Sequence, residues 1–267
     1  MFFTFSLYVF IFFLISQEDF LKTFFDIKIH GIVFCSVLSI AAGGLINQFY
    51  DKEKDKIVKP FRSQFQRFLK QKYFLYFYLI FNILSLGIAW ILSYKIFLFF
   101  LNYQFLIWFY SHKLCKKLII NNLSYVLLSL YPFFGILIYY QHFSINLFLL
   151  TLFLFILLLI INIIKNLMTE DGDRLLEYKT LPVIFGKTIT IYWIRILLIL
   201  DILMGFILLI INNIQFYSFY FILSILFFGM LIILLKRDHK NYLILSIFLK
   251  IWVFIGILFM LFDTLLN

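Results

Sequence analysis

Long apolar runs separated by short polar breaks recur over the whole length of the chain. Runs near twenty residues match the length an α-helix needs to cross about 30 Å of hydrocarbon. The breaks place nine spans near residues 1–16, 31–51, 73–93, 95–111, 118–140, 145–166, 188–212, 214–235 and 241–264. Each is expected to be helical, because lipid offers no partner to the backbone groups of an open strand edge. The fold class that follows is all-α: a polytopic membrane protein, one transmembrane bundle domain over residues 1–267 with nine helices. Residues 1–16 lack a basic leader and a small-residue cleavage pattern, so they read as the first span rather than a signal peptide.

Composition strengthens this reading. The chain is 64% hydrophobic and 13% charged, with a mean hydropathy of +1.04. A soluble domain is nearer half apolar and a quarter charged. The Phe, Ile, Leu, Tyr, Asn and Lys excess follows AT-rich codons, so the 39 Phe do not by themselves argue for an aromatic pocket. Cys35 falls in an apolar run and Cys115 in a basic loop. They read as a small hydrophobe and an exposed thiol, not as a disulfide or a metal site.

The net charge of +10 invites a nucleic-acid reading, but the basic residues sit in alternate loops. Lys52, Lys54, Lys56, Lys59, Arg62, Arg67, Lys70 and Lys72 follow span 2, and Lys113, Lys116 and Lys117 follow span 4. Lys165, Arg174, Lys179 and Lys187 flank the loop after span 6, and Lys236, Arg237 and Lys240 follow span 8. The opposite loops hold only Lys22, Lys28 and Lys95. The positive-inside rule puts the basic loops in the cytoplasm and the N-terminus inside. Basic charge is thereby spent on topology in a cell (inner) membrane, and no nucleic-acid partner is expected.

Acidic residues are scarce, so their grouping matters. Asn47, Asp51 and Asp55 stand four apart at the cytoplasmic end of span 2. Steps of four drift by only about 40° around a helix, so all three share one face. Thr169-Glu170-Asp171-Gly172-Asp173 closes span 6 on the same side. An oxygen-rich face suits Mg2+, which takes carboxylates together with substrate phosphate oxygens. With Arg62, Lys113, Lys165 and Lys179 around them, two such clusters suit a diphosphate leaving group. The alternative is a solvated rim of i,i+4 pairs. Asp201 in span 7 and Lys250 in span 9 fall at similar depth. They read as an intramembrane ion pair that packs the bundle, with acceptor binding as the alternative. Arg195, nearer the cytoplasmic side, reads as a snorkelling cation.

The motifs resemble the UbiA superfamily of intramembrane prenyltransferases. That family's first motif, N-D-x-x-D-x-x-x-D with a basic stretch, proline and arginine, is matched by Asn47, Asp51, Asp55, Pro60 and Arg62. Its second, D-x-x-G-D followed by K-T-L-P, is matched by Gly172-Asp173 and Lys179-Thr180-Leu181-Pro182. Between them, Tyr110-Ser111-His112-Lys113, Asn121-Asn122 and Pro132 resemble the family's loop after helix 4. Gln48 and Thr169 replace two of the family's acids, Val58 replaces a frequent Asn, and Asn162 and Asn166 stand where relatives carry Glu and Asp.

The resemblance implies a bundle with a central cavity, Mg2+ at Asn47, Asp51 and Asp55 and near Asp171 and Asp173, and Asp51, Asp55 and Asp173 as the catalytic acids. It implies diphosphate binding by Arg62, Tyr110, Lys113, Lys165 and Lys179. Asp171 reaches that site only if Gly172 lets the segment unwind, since Asp173 lies about 200° away on a helix. The implied partners are a polyprenyl diphosphate, a small lipid or aromatic acceptor and membrane lipid. The pattern is most similar to members that move geranylgeranyl groups to glyceryl-phosphate acceptors. Aromatic prenyltransferases of quinone biosynthesis come second. A transporter or prenyl-lipid-binding protein is the reading from another class.

Overall fold

A chain this apolar satisfies its backbone within its own segments, and the computed structural model is built from helices. It describes residues 2–14, 25–58, 71–141, 143–211, 217–235 and 239–266. The helices are α1 (Phe2–Leu14), α2 (Ile27–Tyr50), α3 (Lys52–Val58), α4 (Gln71–Leu92), α5 (Tyr94–His112) and α6 (Ile120–Tyr140). They continue as α7 (Ile145–Met168), α8 (Glu170–Leu175), α9 (Leu181–Ile211), α10 (Ser218–Leu234) and α11 (His239–Leu266). A 3-10 turn, Leu114–Lys116, links α5 to α6. Among the described residues every expected span holds a helix, and six of these are long and apolar enough to cross a membrane. They are α2, α4, α6, α7, α9 and α11, while α1 and α10 are shorter apolar helices.

The chain forms two compact units. The first comprises Met1–Tyr8, Gln17–Tyr140 and Asp171–Lys179. Its centre is α2, which packs along α4 and also meets α5 and α6. One stripe of α2 is buried: Ile29, Ile32, Val33, Ser36, Ser39 and Ala42. The small members of that stripe permit the close approach that drives helix association in lipid. Ser39 and Ser85 share a hydroxyl hydrogen bond of 3.1 Å, and the Ser85 hydroxyl also donates to the Cys35 carbonyl at 3.2 Å. Asp26 caps the start of α2 by accepting from the Lys28 N–H, and the Tyr139 hydroxyl donates to its other oxygen at 2.7 Å.

Pro132 lies inside α6 and has no N–H to offer the carbonyl one turn earlier, that of Leu128. The Tyr103 hydroxyl of α5 donates to that carbonyl at 3.1 Å. The Tyr103 ring stacks on Tyr131 with centroids 4.6 Å apart. A neighbouring helix thus repairs the break that proline makes.

The second unit comprises Val9–Ser16, Gln141–Glu170 and Thr180–Asn267. Here α9 packs on α7 and α10, and α11 packs on α7. Phe153, Tyr220, Phe221, Phe228 and Trp252 interlock, and the Trp252 indole donates to the Ser224 hydroxyl at 2.9 Å. Two charged side chains serve helix ends. Asp263 accepts from the Tyr217 N–H at the start of α10, and Arg195 donates to the Leu235 carbonyl at its end. Both signs suit the helix dipole. Arg195, read from the sequence as a snorkelling cation, is exposed and donates to the end of α10.

Candidate active site

The site grows from the polar end of α2. Asp51 closes that helix, its N–H bonded to the Asn47 carbonyl at 2.8 Å. The next turn continues into α3, where the Asp55 N–H meets the Asp51 carbonyl at 2.8 Å. Helical spacing therefore survives the cap, and Asn47, Asp51 and Asp55 keep the one-turn steps read from the sequence. The Asn47 amide donates to the Asp51 carboxylate at 2.8 Å.

Residues 171–179 belong to the same unit and bring the second acid to this place. Asp173 is fully buried and pairs with the Lys54 ammonium, whose side chain is only 15% exposed. After α8 the chain turns back, and the Tyr178 N–H donates to the Asp173 carbonyl at 2.8 Å. The Lys179 N–H donates to the Lys116 carbonyl at 3.0 Å, tying this turn to the loop after α5. Tyr178 sits at the centre. Its hydroxyl donates to the Asp51 carboxylate. Lys54 and Lys116 stand over its ring, 5.1 and 5.4 Å from the centroid. Burial, and then the Asp51 charge, raise the Tyr178 hydroxyl above its ordinary value, so it stays a donor.

The loop after α5 closes the arrangement. Tyr110 is within electrostatic reach of both Asp51 and Asp173, and its hydroxyl donates to Asn121 at 3.0 Å. Cys115, read from the sequence as an exposed thiol, is buried and donates to the Ser111 carbonyl. Burial and the nearby Asp51 push this thiol up to about 11. The basic loop folds inward at the 3-10 turn, which a charge count does not reveal.

Several expected site residues are not among these contacts. Asp171 is exposed while Asp173 is buried, because α8 stays helical through Gly172 and turns the two apart. It does not join Asp173. Lys113 is exposed at the end of α5, and the Lys179 side chain is exposed although its backbone is pinned. Lys165 is exposed in the second unit, where Glu170 is buried and lies 3.5 Å from Lys187. Arg62 lies outside the described residues. Asp201 and Lys250 do not form the expected pair: Asp201 is fully buried with neither oxygen hydrogen-bonded, and Lys250 is exposed. Equal depth on two helices does not make two side chains face each other.

Three residues of the cluster were not singled out from the sequence: Lys54, Tyr178 and Lys116. Lys54 stands three residues after Asp51, the other spacing that shares a helix face, and was masked by the run of lysines around it. Tyr178 carried no signal beyond standing five residues after Asp173.

The donor set is all oxygen, which fits Mg2+ better than a softer ion. Among the described residues no three His, Cys, Asp or Glu gather into a metal cage. That also fits Mg2+, which relies on a carboxylate or two and completes its shell with substrate oxygens and water.

Apolar helices with carboxylates, lysines and a tyrosine gathered at one end define a membrane-embedded protein suited to a phosphorylated ligand. Residues 5–261 match the UbiA prenyltransferase family, and the chain belongs to that family. A digeranylgeranylglyceryl phosphate synthase from Pyrococcus abyssi is 31% identical over 163 residues, 59% of this chain and 57% of that protein. The chain thus aligns with little more than half the length of this curated relative. The fold is similar to that of a solved digeranylgeranylglyceryl phosphate synthase, with a TM-score of 0.68, 22% identity and coverage of 99% of this chain and 94% of the other. A UbiA homologue from Archaeoglobus fulgidus bound to DMAPP and Mg2+ gives a TM-score of 0.65 at 16% identity, covering 96% of this chain and 94% of that one.

Proposed function

We propose that the chain transfers a polyprenyl group, of geranylgeranyl type, from its diphosphate to a glyceryl-phosphate acceptor, in a Mg2+-dependent reaction. The carrying observation is the gathering of Asp51 and Asp173 around Tyr178, Lys54 and Lys116. The match over residues 5–261 supports reading both compact units as one prenyltransferase domain. The loop charges support an active site on the cytoplasmic side and a cytoplasmic N-terminus.

Asn47, Asp51 and Asp55 would hold Mg2+, which when bound supplies positive charge against the diphosphate oxygens. Tyr178 holds the Asp51 carboxylate in place with its hydroxyl, and the Asn47 amide also donates to that carboxylate. Lys54 and Lys116 put positive charge at the same place, so the departing diphosphate meets fixed cations. The prenyl tail lies among apolar side chains, where burial contributes about 0.8 kcal/mol per CH2. The carbon–oxygen bond to the diphosphate breaks with its electron pair on the leaving group. The acceptor hydroxyl then bonds to the allylic carbon and releases its proton to water.

The test is a product screen by mass spectrometry. Membranes carrying the chain are offered geranylgeranyl diphosphate with a glyceryl-phosphate lipid or with 4-hydroxybenzoate. A prenylated glyceryl phosphate that requires Mg2+ and disappears in Asp51→Ala is the expected result. Product only on the aromatic acceptor moves the chain to the quinone branch. No product and no diphosphate release from either removes the proposal.

A further inference from the structure

We infer that Lys54 is the built-in cation of the diphosphate site, held at Asp173, and that the chain therefore works with a single Mg2+ at Asn47, Asp51 and Asp55. This rests on the diphosphate reading above. A carboxylate with no solvent exposure is not left uncompensated in a folded chain. Asp173 is such a group, and the Lys54 ammonium pairs with it. The lysine is itself largely buried, with the Tyr178 ring covering one side of it. Its chemistry is that of a compact point charge with three donors, suited to phosphate oxygens.

A second divalent ion at Asp173 would have to displace this ammonium or sit against it, and like charges at that range repel strongly. The neighbouring acids on α8 do not offer another seat. Asp171 is exposed, and Glu170 already has the Lys187 ammonium 3.5 Å from its carboxylate. One turn before Asp173 the chain carries a neutral Thr169. The second acidic segment thus holds a lysine in position rather than a metal. Lys54 would meet the diphosphate oxygens from the Asp173 side while the metal meets them from the Asp51 side.

Binding decides this without turnover. The full chain in detergent is titrated with Mn2+ and inorganic pyrophosphate, counting bound metal by electron paramagnetic resonance and measuring pyrophosphate affinity by calorimetry. Wild type should hold one metal per chain. Lys54→Met should weaken pyrophosphate about 10- to 100-fold at limiting metal, the range expected for loss of a charge-assisted contact. It should also take up a second metal at the freed Asp173. Lys54→Arg should keep one metal and most of the affinity. Two metals per wild-type chain with pyrophosphate bound overturns the inference and leaves the proposed function standing. Unchanged affinity in Lys54→Met overturns it equally. Wild type that binds no metal and no pyrophosphate sinks both. Should Lys54→Met fail to fold, the wild-type count and Lys54→Arg still decide.

Discussion

At the scale of single residues, Tyr178 does two separable things. Its hydroxyl donates to Asp51, and its ring lies beneath two ammonium groups. Tyr178→Phe removes the first and keeps the second. Loss of a hydrogen bond to a charged group costs about 1.5–3 kcal/mol, so Mg2+-dependent pyrophosphate release should slow roughly 10- to 100-fold. Tyr178→Leu should slow it further, and an assay in which Phe and Leu are equal would remove the ring from the account. Cys115 gives a pH reading of the same pocket. Its thiol is raised from 9.0 to about 11 by burial and by Asp51. At neutral pH it should hold roughly a hundredfold less thiolate than a free cysteine. Alkylation of Cys115 by N-ethylmaleimide in the folded chain should therefore be slow and accelerate only toward pH 11. The fold favours the neutral thiol, so this contribution to stability is full below about pH 9 and lost as pH rises through about 11. Labelling as fast as in a denatured control would contradict the buried position. The carboxylates of this pocket were legible, because few acids occur in the chain and three polar residues kept a four-residue step. Lys54 was not, because like charges surround it in the sequence, and Tyr178 was not, because what marks it is a turn of chain after α8 that no local pattern encodes.

At the scale of elements, hydrophobic runs located the helices, and special residues moved their ends. The seventh span was expected from residue 188, and the long part of α9 does start after Gly186, preceded by a short helical segment from Leu181. Pro182 sits in its first turn, where a missing N–H costs nothing. Gly186, at φ 79°, then separates this segment from the long one in a conformation an L side chain resists. A sequence reading takes Pro and Gly at that spacing for a loop. Pro132 is the reverse case, since α6 runs straight through it. The prediction here concerns the repair. Tyr103→Phe keeps the stacked ring on Tyr131 and leaves the Leu128 carbonyl without its donor. An orphaned buried acceptor costs about 1–3 kcal/mol. The thermal midpoint in detergent should fall accordingly, and Tyr103→Phe combined with Pro132→Ala should recover most of the loss, because the restored N–H serves the same carbonyl. A double variant no more stable than the single one would show that the hydroxyl does not serve the proline.

At the scale of the whole molecule, the arrangement of charge carries a claim that the helices alone do not. Six described helices are long and apolar enough to span a bilayer, but length is blind to direction. Direction comes from lysines, which crowd the loops after spans 2, 4, 6 and 8. If those loops are cytoplasmic, then the Asp51 end of α2 faces the cytoplasm and Lys95, at the start of α5, faces outward. Both ends offer exposed positions for a probe. Glu53 is exposed on α3, and Lys95 is exposed two residues after the Ser93 cap. Cys35 and Cys115 are buried, so the native thiols give a quiet background. Glu53→Cys should react with a membrane-impermeant maleimide only in inverted vesicles, and Lys95→Cys only in right-side-out vesicles. The opposite pattern would turn the whole chain over and put the carboxylate pocket outside. Labelling of both positions from one side would mean that an odd number of crossings does not separate them, since among the described long helices α4 alone lies between these two positions. The assignment of α4 as a span would then fall together with the alternation on which the orientation rests.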